Sequence, residues 1–330
     1  MGKLRIGIIG GGGIAKIHLP RLRERDDAVE LAGLADVNPS AGRKLADEFH
    51  IARFVSDYRE LLPLVDAVLI CVPTHLHAPI AIDALRAGKA VFCEKPLART
   101  MQQALDIAKV AKEPTRFQVG FVRRFDQQWL ALRDLTNQSR IGRPVVWRDF
   151  QSSPGIGVPW FCTEDQGGGP FLDGCVHNYD FALHTFGPAE WVFAHLRTIN
   201  PKNTALDTGT ATVRFESGDE LVLTWTWGLP EGSGHFRRMD FLGPEGSITL
   251  RDDGNLLLSR GGGSVATIPA RKDSLKFAFA DQMDEFIEVA RGRRPPRVGI
   301  DDGVASLRLA LAILQSGRRG GEKIFMRDCE

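Results

Sequence analysis

The 330-residue sequence lacks the features that mark several classes of protein. Its five cysteines form no C-x-x-C pair and leave one unpaired, which argues against a disulfide framework and a structural zinc site. The net charge is only +1, and no basic stripe predicts binding to nucleic acid or an anionic membrane. No apolar stretch approaches membrane-spanning length and no signal-peptide profile is present, so the cytoplasm is the expected compartment. A small molecule is the expected partner.

Glycine is the first informative feature that is present. Residues 10–13 are four glycines between an apolar strand-like run and a helix-like run. With Ala15 they form the pattern G-x-G-x-x-A, in which Gly10 permits a tight turn and Gly12 lets the backbone approach a pyrophosphate. The helix N-terminus adds unpaired N–H groups and partial positive charge. The predicted phosphate-contacting residues are Gly10, Gly12, Gly13 and Ile14.

A carboxylate stands where a ribose-binding group is expected. The second strand-like run ends at Asp36, roughly 20 residues past the start of the first helix. In the alternative interpretation the glycines form an ordinary turn and Asp36 caps the helix that begins near Pro39. A carboxylate accepts a hydrogen bond from the 2′-OH of NAD but repels the 2′-phosphate of NADP, and the nearest downstream cation, Arg43, lies inside a predicted helix. NAD is therefore favoured over NADP.

The order of elements predicts two domains. Strands near residues 4–9, 29–35, 66–72, 89–93 and 116–120 alternate with helices that start near Ile14, Pro39, His75, Thr100 and Phe125, which is typical of a doubly wound α/β domain. Strands near 144–151, 190–199, 208–215, 219–227, 236–242 and 246–250 then follow with few helices, which predicts an antiparallel sheet. Helices over about 277–291 and 301–315 close the chain. The predicted domains are residues 1–121 and 122–330.

One face of the second sheet is strongly apolar. Leu221, Leu223, Trp225 and Trp227 share the same parity along one strand. Either helices cover this face or another subunit does, and we expect oligomerisation through it.

Two strand ends carry candidate site residues. Pro73, Thr74 and His77 follow one strand at the edge where open α/β sheets bind ligands, although Thr74 and His77 are also compatible with a helix cap and first turn. Glu94 and Lys95 end the next strand, where an adjacent Glu and Lys are costly to desolvate unless they face a cleft. The alternative is a solvated pair at the start of a loop. Pro96 ends that strand and is compatible with a cis Lys95–Pro96 bond.

A third segment carries a stripe of acid and base. At helical spacing, Asp173, His177, Asp180 and His184 follow one another at i+4, i+3 and i+4 on an otherwise apolar helix. Metal binding, a structural hydrogen-bond network and acid/base catalysis are all possible uses. Removal of hydride from a secondary alcohol leaves a proton on oxygen, and a histidine of pKa about 6.5 is a suitable base, whereas a lysine at about 10.4 needs strong depression. We assign His177 as base, Asp173 as its orienting group and Lys95 as stabiliser of the developing alkoxide.

Glu94-Lys95-Pro96, together with the D-x-x-x-H pattern from Asp173 to His177, resembles the Gfo/Idh/MocA family over nearly the whole chain. The resemblance implies an N-terminal Rossmann domain, a C-terminal α/β domain with an open, mostly antiparallel sheet, and a homodimer or homotetramer built on that sheet. It implies that Lys95, Asp173 and His177 are the catalytic trio of an inositol or sugar dehydrogenase. It also places Thr74, His77 and Glu94 near NAD and Arg124 near the cleft.

Some assignments have alternatives. Trp160 and Asn178 are further candidates for substrate contact, and Arg124 is equally compatible with a salt bridge at a domain hinge. The same scaffold also serves an NADP-linked enzyme or one for a non-carbohydrate substrate such as a trans-1,2-dihydrodiol. A protein that senses nucleotide without turnover is the alternative from another class, but it has no need for the intact Lys95, Asp173 and His177 set.

Overall fold

The computed structural model describes residues 2–111 and 116–329. The chain divides into two compact units. The first comprises Met1–Phe125 and Leu275–Val304, and the second comprises Asp126–Ser274 and Ala305–Glu330.

The first unit is built on a six-stranded parallel sheet. Its strands are β1 (Leu4–Ile9), β2 (Val29–Ala35), β3 (Phe54–Val55), β4 (Ala67–Ile70), β5 (Ala90–Cys93) and β6 (Phe117–Val119), in the spatial order β3-β2-β1-β4-β5-β6. Its first four α-helices are α1 (Gly13–Arg23), α2 (Pro39–Glu48), α3 (His77–Arg86) and α4 (Met101–Val110). Every residue of β4 and β5 is buried, as the continuous apolar runs predict for strands covered on both faces. The two-residue strand β3 was not predicted, because it is too short to show a pattern.

The second unit contains a nine-stranded, mostly antiparallel sheet. Its helices are α5 (Gln127–Asn137) and α6 (Val176–Phe186). Its strands are β7 (Val146–Ser152), β8 (Ala189–Arg197), β9 (Thr208–Phe215), β10 (Glu220–Thr226), β11 (Phe236–Gly243), β12 (Gly246–Leu250), β13 (Leu256–Arg260), β14 (Ser264–Ile268) and β15 (Ile324–Phe325), in the order β14-β13-β12-β11-β7-β10-β9-β8-β15. Only β7 and β10 pair in parallel among the described strands of this sheet. The last three strands were not predicted, whereas the predicted fold class is confirmed.

The compact units divide the chain differently from the predicted domains at its C-terminal end. Helix α7 (Ser274–Ala290) falls almost entirely in the first unit, and α8 (Ile300–Arg318) starts there, with the division between Val304 and Ala305. The apolar face of α7 places Met283, Phe286, Ile287 and Ala290 in the core of the first unit, where Phe286 meets Phe92 of β5 edge-on at 5.6 Å. The first unit is therefore built from two separate chain segments.

The expected subunit interface on the Leu–Trp face is also corrected. Leu221, Leu223, Trp225 and Trp227 are each 5% exposed or less in the single chain. On this face Phe181 of α6 packs against Trp147 of β7 at 5.4 Å between ring centres, and Trp129 of α5 lies 5.9 Å from the same Trp147 ring. The chain's own helices cover this face, so it is not available to a second subunit.

None of the described helices is both long and apolar enough to cross a bilayer.

Candidate functional site

The glycine-rich turn after β1 has the backbone that a dinucleotide needs. Gly10 has a φ of +95°, and a Cβ there would lie 2.6 Å from the carbonyl oxygen of Cys71, so only glycine fits. Gly12 caps α1 without a side-chain hydrogen bond, and a Cβ on Gly13 would meet nothing within 4 Å. The first amides of α1 are therefore open to an approaching phosphate, while Ala15 is fully buried.

Asp36 lies at the end of β2 beside this turn. One carboxylate oxygen accepts a hydrogen bond from the Gly11 N–H at 2.7 Å and the other accepts one from the Asn38 N–H at 2.8 Å. A carboxylate has about four acceptor positions, so lone pairs remain for the two hydroxyls of a ribose. The N-cap of α2 is Asn38, whose side chain accepts from Ala41 N–H, so the alternative of Asp36 as helix cap is wrong.

The residues around Asp36 also fit NAD rather than NADP. Arg43 lies over the Phe54 ring, with its guanidinium carbon 5.1 Å from the ring centre. This cation–π contact gives the guanidinium nearest downstream of Asp36 a partner within the protein. The glycine turn and the carboxylate together fit the pyrophosphate and adenosine ribose of NAD.

The segment after β4 is more enclosed than predicted. Thr74 begins a single 3-10 turn, Thr74–Leu76, and is 1% exposed, while α3 begins at His77 with Leu76 as its cap. His77 is 1% exposed, and its Nδ1 and Nε2 lie 2.7 Å and 2.9 Å from the carbonyl oxygens of Pro96 and Val72. The His77 ring therefore lies between the backbones of two loops, and its contact with the cofactor stays a prediction.

Glu94 and Lys95 are not a solvated ion pair. Glu94 is 6% exposed, its Oε1 lies 2.7 Å from Nε2 of His18, and its Oε2 accepts the Lys95 backbone N–H at 3.2 Å. Lys95 is half-buried, and the Lys95–Pro96 bond is cis. His18, on α1, was not predicted as a site residue, because a single histidine on an apolar helix face gives no sign of a partner 76 residues away.

Asp173 and His177 lie in a segment that is not one regular helix. Residues Pro170–Gly174 form a π-helical turn, and α6 follows from Val176. The predicted α-helical stripe is therefore corrected, since the wider turn changes the angular spacing between Asp173 and His177. Asp173 is 1% exposed and His177 is half-buried. Burial, and then the carboxylates of Asp207 and Asp173, raise the pKa of the Cys162 thiol to about 11, so this cysteine is an inert neighbour.

Two of the three predicted substrate contacts lie on buried side chains that have protein partners, and their contact with substrate stays a prediction. Asn178 has no exposed surface, and its Nδ2 donates to Asp149 Oδ2 at 2.8 Å, which makes it part of a buried network. Arg124 is 6% exposed and donates to Asp302 at 2.9 Å, which forms a salt bridge within the first unit. Trp160 is half-buried and stacks on Phe161 at 3.7 Å between ring centres, and its contact with substrate stays a prediction.

Comparison with known proteins identifies the family. Residues 4–121 match the family described as "Oxidoreductase family, NAD-binding Rossmann fold", and residues 129–249 match the "GFO/IDH/MocA C-terminal domain". The chain is 28% identical to a scyllo-inositol 2-dehydrogenase (NAD(+)) of Bacillus subtilis, over 96% of this chain and 95% of that protein. It is 29% identical to a myo-inositol 2-dehydrogenase of Thermotoga maritima, over 95% and 96% respectively.

A solved structure gives the same result for the fold. The WlbA dehydrogenase of Bordetella pertussis, in complex with NADH and UDP-GlcNAcA, is 25% identical and superposes with a TM-score of 0.83 over 98% of this chain and 99% of that one. The glycine turn and Asp36 agree with a family that binds NAD. The chain belongs to the GFO/IDH/MocA family of oxidoreductases and has an NAD-binding Rossmann domain.

Proposed function

We propose that this protein is an NAD-dependent dehydrogenase that interconverts a secondary hydroxyl and a carbonyl on an inositol, a sugar or a related polyol. The observation that carries the proposal is the similarity to two inositol 2-dehydrogenases over at least 95% of this chain. It covers both segments that hold the candidate proton-transfer residues, Glu94-Lys95-Pro96 and Asp173 to His177.

The cofactor would be held by residues of the first unit. Bound NAD supplies the hydride acceptor at its nicotinamide ring. The open amides at the start of α1 would bind the pyrophosphate, and Asp36 would bind the adenosine ribose. The proposed cofactor-binding residues are Gly10, Gly12, Gly13, Ile14, Asp36, Pro73, Thr74, His77, Glu94 and Lys95.

Three side chains have proposed roles in proton transfer. His177 would accept the hydroxyl proton, since a half-buried imidazole can exchange it with solvent. Asp173 is buried and would orient the imidazole and stabilise its charged form. The Lys95 ammonium would stabilise the negative charge that develops on the substrate oxygen, and its primary amine would share the proton relay.

A substrate panel tests the proposal. Purified protein is incubated with NAD and with inositols, sugars and dihydrodiols one at a time, and NADH is read by absorbance, with NADP as the alternative cofactor. At least one polyol is expected to give NADH. A response only to dihydrodiols or only with NADP would contradict the substrate or cofactor assignment. Binding of NADH without any turnover would instead identify a nucleotide sensor.

Site variants test the residue roles. Lys95→Ala is expected to leave NADH binding largely intact, because the glycine turn and Asp36 remain, and to lower kcat roughly 100-fold or more, as does loss of a group that stabilises charge in the transition state. Exposed Lys3 offers a matched control, and Lys3→Ala is expected to keep wild-type turnover. Unchanged turnover in Lys95→Ala would remove Lys95 from the mechanism.

We also propose a homodimer or homotetramer through the second sheet, on the face opposite the Leu–Trp face. Phe193 of β8 is 37% exposed on that face. It lies opposite Thr212 of β9, which in turn lies opposite Val222 of β10. Phe193→Glu is expected to shift the molar mass measured by light scattering towards the monomer, whereas an unchanged mass would place the interface elsewhere.

A further inference from the structure

We propose that two buried histidines, His18 and His77, are positioning residues that hold Lys95 from both sides along the chain. The inference rests on the role proposed above for Lys95. It concerns contacts within the first unit only.

His18 acts on the residue before Lys95. Its side chain has no exposed surface, and its Nε2 lies 2.7 Å from Oε1 of Glu94. The other oxygen of that carboxylate accepts the backbone N–H of Lys95. His18 is thus connected to the Lys95 backbone through a single side chain, because one carboxylate binds both groups.

The surroundings leave the Glu94 carboxylate little freedom to move. The His18 ring lies edge-on to Phe92 at 5.1 Å and to Phe279 at 5.4 Å. A Cβ on Gly120 would lie 3.0 Å from Glu94 Oε2, so any larger residue at position 120 would press on the carboxylate. A buried carboxylate that lost the His18 hydrogen bond would keep its desolvation cost without compensation.

His77 acts on the residue after Lys95. Its Nδ1 contacts the Pro96 carbonyl oxygen, and its Nε2 contacts the Val72 carbonyl oxygen. A carbonyl oxygen only accepts, so His77 donates to both loops when its ring is protonated at both nitrogens, and to Pro96 alone when the single N–H is on Nδ1. In either case the Pro96 carbonyl is held. Lys95 lies between two anchored neighbours, one held through a side chain and one through a backbone carbonyl.

This arrangement predicts a loss of rate rather than of binding. A misplacement of about 1 Å in a reacting group can cost roughly 100-fold in rate, whereas the glycine turn and Asp36, which are proposed to bind the pyrophosphate and ribose, contact neither histidine. Loss of either contact should lower kcat by much more than it lowers the affinity for NAD.

The test compares three variants on helix α1. His18→Leu removes the contact to Glu94, and His18→Gln keeps an N–H donor close to the position of Nε2. Leu19→Ala is the matched control, because Leu19 is fully buried on the same helix and its truncation destabilises the unit without touching Glu94. All are assayed at a temperature where circular dichroism shows them folded.

His18→Leu is expected to lower kcat roughly 10- to 100-fold and the affinity for NAD by a much smaller factor, and His18→Gln is expected to recover most of the loss in kcat. His77→Leu should give the same split between kcat and affinity. Equal kcat in His18→Leu and Leu19→Ala, or no recovery in His18→Gln, would overturn the inference for His18.

A second measurement needs no substrate. Hydrogen exchange of the Lys95 amide, followed by mass spectrometry on the apo-protein, should become faster in His18→Leu than in Leu19→Ala, since the Glu94 acceptor is no longer held. Equal protection in the two variants would contradict the positioning role. If Lys95→Ala itself retains turnover, the proposed function fails, whereas loss of turnover in Lys95→Ala but not in His18→Leu overturns only this inference.

Discussion

Two arginine–aspartate pairs between β7 and β11 allow a direct test of how burial sets the strength of an ion pair. Asp149 accepts two hydrogen bonds from Arg237, at 3.2 Å and 2.9 Å, and is fully buried. Arg148 donates two to Asp240, at 2.8 Å and 2.6 Å, with side-chain exposures of 43% and 23%. The pairs have the same chemistry, and because Arg148 and Asp149 are consecutive on β7 they lie on opposite faces of the sheet.

Truncation of the two carboxylates should therefore have unequal effects. Asp149→Ala leaves the buried Asn178 amide without its acceptor and the Arg237 guanidinium, which is 33% exposed, without its partner. An unsatisfied buried polar group costs about 1–3 kcal/mol. Asp240→Ala removes a largely solvated pair and should cost under about 1 kcal/mol, even though the bond to Asp240 raises the pKa of Arg148.

Tryptophan fluorescence can measure this difference in the free energy of unfolding of the second unit. All six tryptophans lie in the second unit, so urea unfolding followed by their emission monitors that unit alone. With a slope of about 2–3 kcal/mol per molar urea, Asp149→Ala should shift the midpoint by roughly 0.5–1 M and Asp240→Ala by at most a few tenths. Similar shifts for the two variants, with unchanged slopes, would refute the argument from burial.

Two further predictions concern the first unit. Asp36→Ala should weaken NAD binding, measured by calorimetry, roughly 10- to 100-fold, because a charged hydrogen bond is worth about 1.5–3 kcal/mol. It should weaken NADP binding less. An unchanged ratio of the two affinities would contradict the assignment of Asp36 to the ribose. Burial and the hydrogen bond to Asp83 raise the pKa of Tyr58 from 10.0 to about 12, so its contribution to stability is complete below pH 10 and is lost as the pH rises to about 12. Ultraviolet titration should show a phenolate transition near 12 that Tyr58→Phe removes, and a transition near 10 would show that Tyr58 is not held by Asp83.

Local features of the chain were predictable where neighbours in sequence are also neighbours in space. The turn at Gly10, the strand ending at Asp36 and the buried run of β4 all follow from residue type and spacing within one short segment. The place of α7 was not predictable in this way. An amphipathic pattern shows that a helix buries one face, but it does not show which sheet receives Phe286.

The polar contacts of the site were the least predictable part for the same reason. Asn178 and Arg124 have residue types that suit substrate binding, yet their partners are Asp149, 29 residues away, and Asp302, 178 residues away. The π-helical turn before α6 was missed because Asp173 and His177 keep the same spacing in sequence in either type of helix.

Buried polar side chains also explain why substitutions at residues that touch no ligand can alter a reaction of this kind. Three such side chains are 1% exposed or less: His18, His77 and Asp149. Each contacts a residue that is next in sequence to a proposed catalytic residue. His18 and His77 hold Glu94 and Pro96 beside Lys95, and Asp149 holds Asn178 beside His177. Because a buried hydrogen-bonding group is costly to leave unpaired, each contact restricts its segment to one arrangement. The rate of the reaction should therefore depend on these partners as well as on Lys95 and His177, and kcat should respond to their loss before the affinity for NAD does.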